Sequence, residues 1–188
     1  MSTDKRIAVL ASGTGSLLKA MVEEKLPIVK MYADRLCPAY SEVAREAKIP
    51  ATVFLRSFTK DFDRVKYTQL IVKSLQRDRI DVVVMAGWMT IFSSLMFKHF
   101  GGRILNIHPS LLPAFKGDHA VRDALQAGAK VTGTTVHIAT AELDAGPILA
   151  RCEIPVQRGD TVETLHERIK QVERVLYPKT VREFLKTL

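Results

Sequence analysis

Asn106 and His108 stand one residue apart where the short run Arg103-Ile-Leu105 opens into Asn106-Ile-His-Pro-Ser-Leu-Leu-Pro113. A strand sends alternate side chains to opposite faces, so Asn106 and His108 would share one side while Ile107 packs on the other. A carboxamide can donate to a developing oxyanion, and an imidazole can give or take a proton near neutral pH. The proline-bracketed loop that follows, with Gly117 beyond it, fits the C-terminal end of a parallel strand, where reacting groups gather in open α/β sheets. The spacing is not that of a metal site. A lone histidine in this position is more often a structural hydrogen-bonder, so the pair alone decides little.

Two further stretches carry chemistry. Asp144 lies in Glu142-Leu-Asp-Ala-Gly-Pro147 between two expected strands, where its local reading is a turn that Asp starts. Ala11-Ser-Gly-Thr-Gly-Ser16 joins a strand to a helix, so its backbone N–H groups and the helix dipole favour an anion. Leu18 occupies the third glycine position of a dinucleotide fingerprint, and no Gly-Lys-Ser/Thr follows to make a P-loop. The plainer alternative is a tight turn without a ligand.

Positioning these groups requires a frame, and the chain alternates strand and helix throughout, which predicts an open, mostly parallel α/β sheet covered on both faces. Strands are expected at 7–11, 28–32, 52–55, 81–87, 103–106, 131–139 and 148–156, the apolar Asp81-Val-Val-Val-Met-Ala-Gly87 being central. Helices are expected at 16–24, 40–47, 61–79, 91–99 and 120–127, the last ended by Gly128. The 61–79 helix should turn Tyr67, Leu70, Ile71 and Leu75 inward. In the final helix Val162, Leu165, Ile169, Val172 and Leu176 form a core stripe, Asp160 and Glu163 read as a capping pair, and Pro178 predicts a kink or restart near Tyr177. No linker or repeat interrupts the 188 residues, so residues 1–188 read as a single domain.

The full string Asn106-Ile-His-Pro-Ser-Leu-Leu-Pro113 resembles the signature of the folate-dependent formyltransferases that share a formyl-transfer domain. The resemblance runs from about Arg6 to about Leu185, and within the family it points to the branch acting on glycinamide ribonucleotide in purine biosynthesis. It implies a Rossmann-like formyltransferase fold, with 10-formyltetrahydrofolate as co-substrate and no metal. Asn106, His108 and Asp144 are the implied catalytic set. Asp144 would lie beside His108, where a carboxylate stabilises an imidazolium, and a proton would leave the substrate amine through water ordered by Asp144 and Thr135. Gly15, Ser16 and Leu17 correspond to the phosphate contacts; many members have Asn where Leu17 stands, so a backbone contact is what survives. Lys170 and Glu173 match positions that bind the ribose end, the first usually Gln. Met89, Thr90, Ile91 and Phe92 match the pterin contacts, together with Asn106, and Thr90 stands where many members are basic. Arg64 matches an arginine near the anionic folate tail. His137 reads as structural and His119 as a group behind the first contacts. The family also leaves open a homodimer and a cis Leu112–Pro113 bond.

Composition narrows the alternatives. Net charge is +8 with a pI near 9.6, but the cations are interspersed with acids and aromatics are only 7%, which argues against a nucleic-acid partner and suits anionic small molecules. Met1-Ser-Thr-Asp-Lys-Arg6 leads straight into the first strand without a signal-peptide core, and no apolar run suits a membrane span, so a cytoplasmic protein is expected. Cys37 and Cys152 make neither a disulfide framework nor a metal site; Cys152 reads as a small core residue and Cys37 as a loop thiol. Hydrolysis of the same formyl-folate, and formylation of initiator methionyl-tRNA, are the other family activities. Relatives with the latter carry a basic run after Leu-Leu-Pro, where this chain has Ala114-Phe-Lys-Gly117. A non-enzymatic anion- or nucleotide-binding module would explain the glycine turn, but gives no reason for Asn106, His108 and Asp144 together.

Overall fold

The computed structural model describes residues 5–57 and 59–188; Met1–Asp4 of the N-terminal lead Met1–Arg6 lie outside them. Seven strands form one sheet in the order β3-β2-β1-β4-β5-β6-β7. These are β1 (Ile7–Ala11), β2 (Ile28–Ala33), β3 (Ala51–Val53), β4 (Val82–Met85), β5 (Ile104–His108), β6 (Val131–Ile138) and β7 (Ile148–Pro155). The first five run parallel, and β6 and β7 are antiparallel to their neighbours. β4 lies at the centre, as its unbroken apolar run requires.

Helices cover both faces. The residues of β1 divide strictly by parity. Ile7, Val9 and Ala11 join a core formed with α1 (Ser16–Glu23), α2 (Pro38–Glu46) and the C-terminal half of α6 (Val162–Leu185). Ala8 and Leu10 join the opposite core, formed with α3 (Arg64–Arg77) and α4 (Ser94–Phe100). Tyr177, fully buried on α6, donates to the carbonyls of Met85 and Leu105 and so ties α6 to two central strands. The fifth connection, α5 (Ala120–Gln126), packs with the first half of α6 on a smaller cluster. Among the described residues no helix is long and apolar enough to cross a membrane.

Several local expectations are corrected. Leu70 is exposed, and the inner face of α3 is Tyr67, Thr68, Ile71, Val72 and Leu75. Thr161, not Asp160, caps α6, sharing reciprocal hydrogen bonds with Thr164. Asp160 is drawn instead into two 2.8 Å bonds from Arg168, which hold its carboxyl well below the usual carboxylate range. α6 runs as one helix through Pro178: Tyr177 and Val181 on either side are fully buried, and Thr180 donates to the Leu176 carbonyl. α4 starts at Ser94 because residues 91–93 belong to the preceding loop. Cys152 is only half-buried on β7, and Cys37 caps α2 while its thiol donates to the Gly13 carbonyl at 2.9 Å.

Candidate active site

Sequence order reverses across the sheet between β1 and β4, the point at which open α/β sheets form a ligand crevice between the loops leaving the C-terminal strand ends. Ser12 joins the two loops: its N–H donates to the Gly87 carbonyl at 3.2 Å, and its hydroxyl accepts from the Met89 N–H at 2.9 Å. Beyond Ser12, Gly15 takes φ +80°, and a Cβ on it would press within 3.2 Å of the Tyr40 Cα. Glycine is therefore required there on two counts. No side chain caps α1, which leaves the first-turn N–H groups of Ser16, Leu17 and Leu18 open toward solvent or an anion. The Leu17 side chain packs in the core, so only its backbone faces outward. A hollow of about 450 Å³ flanks this turn between α1 and α6, lined by Ser16, Lys19, Glu23, Glu24 and Arg174 among others; Asn106, His108 and Asp144 do not line it.

The next strand end carries the amide and imidazole. Leu105 and Ile107 face the α6 core while Ile104 faces the opposite one, so alternation puts Asn106 and His108 together on the second face. Asp144, in the loop between β6 and β7 at φ +50°, reaches them from the antiparallel side. Its Oδ2 accepts from the Gly117 N–H at 2.9 Å and lies 3.4 Å from His108 Nδ1. His108 Nε2 donates to the Phe115 carbonyl at 2.8 Å, so both ring nitrogens face oxygens. Both residues are buried.

His137, expected from sequence to be structural, is a fourth member. Antiparallel pairing sets His137 opposite Asn106, and its Nε2 lies 3.1 Å from the Asn106 amide nitrogen. Burial, first of all, holds His137 below the ordinary histidine value, so its ring is neutral near pH 7. The network assigns its proton to Nδ1, which faces the Ile138 carbonyl at 3.2 Å. Nε2 then accepts one amide hydrogen of Asn106, fixing that side chain and leaving the second hydrogen for another acceptor. Asp144 Oδ1, 3.7 Å from the same Nε2, is beyond hydrogen-bond range. Only the nonlocal register of β5 on β6 could have shown this.

Thr135 is corrected. Its buried hydroxyl donates to the Ser110 carbonyl at 2.7 Å and accepts from the Leu112 N–H at 3.1 Å. It braces the loop after β5, whose Leu112–Pro113 bond is cis, and is committed there rather than to water. His119 lies at the surface beside Asp118.

Loop 86–93 is half pinned and half open. Thr90 is buried, and its hydroxyl donates to Asp34 at 2.6 Å. Phe92 stacks on Trp88 in the core. Met89 and Ile91 between them are about half exposed, which gives two apolar side chains facing outward beside the crevice. Arg64 is exposed at the first turn of α3. On α6, Lys170 is 3.7 Å from Glu167, whereas Glu173 is buried against the sheet, its Oε1 3.1 Å from the Thr134 hydroxyl. Among the described residues no three His, Cys, Asp or Glu side chains gather as a metal-holding group.

Comparison with known proteins identifies the family. Residues 5–181 match the family described as formyl transferase. Phosphoribosylglycinamide formyltransferase of Mycobacterium tuberculosis is 45% identical over 180 residues, covering 93% of this chain and 82% of that protein. Among solved structures, glycinamide ribonucleotide transformylase 1 from Symbiobacterium toebii superposes with a TM-score of 0.90 at 37% identity, over 100% of this chain and 90% of that one. Phosphoribosylglycinamide formyltransferase from Streptococcus pneumoniae gives 0.88 at 33%, over 95% and 98%.

Proposed function

The chain belongs to the formyl transferase family, and we propose that it moves the formyl group of 10-formyltetrahydrofolate onto the amine of glycinamide ribonucleotide. The observation carrying this reading is the meeting of Asn106, His108 and Asp144 at one end of the sheet, in a chain so similar to enzymes named for that reaction. Hydrolysis and tRNA formylation lack such support. The activity is assigned to one domain over residues 1–188. Both substrates are water-soluble metabolites, so a cytoplasmic location goes with the reading.

The crevice suits both ligands. The uncapped N–H groups of Ser16 and Leu17, with Gly15 before them, suit a phosphate. Glu173 and Lys170 lie on the α6 side, toward the ribose. Exposed Met89 and Ile91 offer apolar contact to a flat ring. Thr90 contributes its backbone, because its hydroxyl is held by Asp34, and Phe92 backs the wall. Arg64 supplies a cation for an anionic tail.

When bound, 10-formyltetrahydrofolate supplies the formyl carbon and leaves with the proton that the amine gives up. The chain's residues manage charge and protons around that exchange. Asn106 turns its second amide hydrogen toward the oxygen on which negative charge grows. His108 holds an Nε2 hydrogen on a neutral carbonyl, and a charged oxygen is the stronger acceptor for it. Asp144, fixed by Gly117, orients the imidazole and takes the amine proton through water. The deciding experiment follows loss of 10-formyltetrahydrofolate absorbance with purified protein, with and without glycinamide ribonucleotide. Turnover only with the ribonucleotide is expected. Equal turnover without it would indicate a hydrolase, and none in either would leave a binding module.

A further inference from the structure

On the face of the sheet away from the His108 side chain, the Thr134 hydroxyl bridges two oxygens. It lies 3.2 Å from the His108 carbonyl and 3.1 Å from Glu173 Oε1. All three groups are buried. A hydroxyl has one proton to donate, and an ionised Glu173 and a carbonyl can only accept. With the carboxylate charged, that single proton is divided between the two oxygens or given to one of them, so neither contact pair is fully satisfied. With Glu173 protonated, the acid donates to Thr134 and Thr134 donates to the His108 carbonyl, so both contacts become bonds. The same carbonyl also accepts the Ser110 N–H at 2.9 Å, and Thr134 fills its remaining lone pair.

Resting on the formyl-transfer reading, we propose that Thr134 and the protonated form of Glu173 are positioning residues for His108, linked as Glu173 to Thr134 to the His108 carbonyl. The end of β5 is thus braced from behind by an acid that must stay neutral. Its surroundings favour that state: burial, the largest influence, pushes Glu173 up to about 7. Lys170 and Arg174 on its own helix oppose this, as does the Thr134 hydrogen bond. Tyr177, one turn further along α6, is held neutral by its own burial. From β6 Glu173 meets the neutral Thr134 hydroxyl, which in turn meets the neutral His108 carbonyl on β5. Ionisation of Glu173 takes the hydroxyl proton away from β5 and loosens the catalytic strand end.

The test pairs kinetics with infrared spectroscopy on full-length Glu173→Gln, Thr134→Ser and Thr134→Val. Glutamine carries a fixed N–H in place of the acid proton. The ratio of wild-type to Glu173→Gln kcat should therefore fall about fivefold from about pH 6 to about pH 8.5, the worth of one neutral hydrogen bond; other titrating groups cancel in the ratio. Thr134→Ser should keep this limb in kcat, and Thr134→Val should lose it. In difference spectra, a protonated-carboxyl band should titrate away near neutral pH in wild type and be missing in Glu173→Gln. A flat ratio, or a carboxylate already ionised at about pH 5, overturns the proposal. Absence of product in wild type would sink the formyl-transfer reading alone, and the infrared titration would still decide whether the acid form holds Thr134.

Discussion

Replacing Glu173 by glutamine removes a titration from the interior, and its effect on stability can be worked out beforehand. The carboxyl has an ordinary value of 4.5 and is pushed up to about 7 in the folded chain, chiefly by burial. The folded state thus keeps a proton that the unfolded state has already lost across that window. Stability from this group is fully present below about pH 4.5 and is lost as pH rises through about 7, to a total of about 3 kcal/mol at roughly 1.4 kcal/mol per pH unit. Glutamine has no such loss. Urea denaturation of both proteins at about pH 5 and about pH 8 should therefore show the variant gaining on wild type by about 2.5 kcal/mol between the two conditions. The constant cost of the amide itself drops out, because only the change between conditions is compared. A gap that is the same at both pH values would mean that Glu173 is ionised in the fold throughout, and the argument for a neutral acid behind β5 would fail with it.

Asp144→Asn should retain the fold, since an amide oxygen can still accept the Gly117 N–H, but turnover should drop at least ~100-fold; steady-state kinetics with near-normal rates across pH would remove Asp144 from the catalytic set. Tyr177→Phe deprives the Met85 and Leu105 carbonyls of their shared donor and should cost about 1–2 kcal/mol in urea denaturation, with unchanged stability the contrary result. At Gly146 a methyl group would overlap the Ile138 carbonyl, so Gly146→Ala should displace the Asp144 loop and lower kcat by about 100-fold. A variant with full activity would show that this loop tolerates displacement.

Most of the frame was legible because it depends on local pattern. Strands buried on both faces read as unbroken apolar runs, and the parity of Ile7 to Ala11 matches the two cores the sheet separates. That Asn106 and His108 share a face follows from the two-residue period of a strand. What sequence could not show depends on partners remote in the chain. His137 meets Asn106 through the register of an antiparallel pair, and Thr135 is committed by Ser110 and Leu112 across that pairing. At the start of α6, Asp160 and Thr161 are both good capping types, and the choice fell to Thr161 because Arg168 claims the carboxylate. Leu70 was misplaced because polar Thr68 takes an inward position on α3, its hydroxyl satisfied by the Arg64 carbonyl.

Ser12 has a consequence for the order in which ligands arrive. One residue holds the loop that ends β1 to the loop that ends β4, through its N–H on Gly87 and its hydroxyl on Met89, and on the proposed reading each loop serves a different substrate. Any adjustment that one ligand imposes on its loop is transmitted to the other through two hydrogen bonds. Thermodynamic reciprocity then requires that the factor by which the ribonucleotide changes affinity for the formyl donor equal the factor by which the donor changes affinity for the ribonucleotide. Ser12→Ala keeps one of the two ties and cuts the other, so titrating each ligand with and without its counterpart in that variant would measure how much of this mutual preference a single hydroxyl carries.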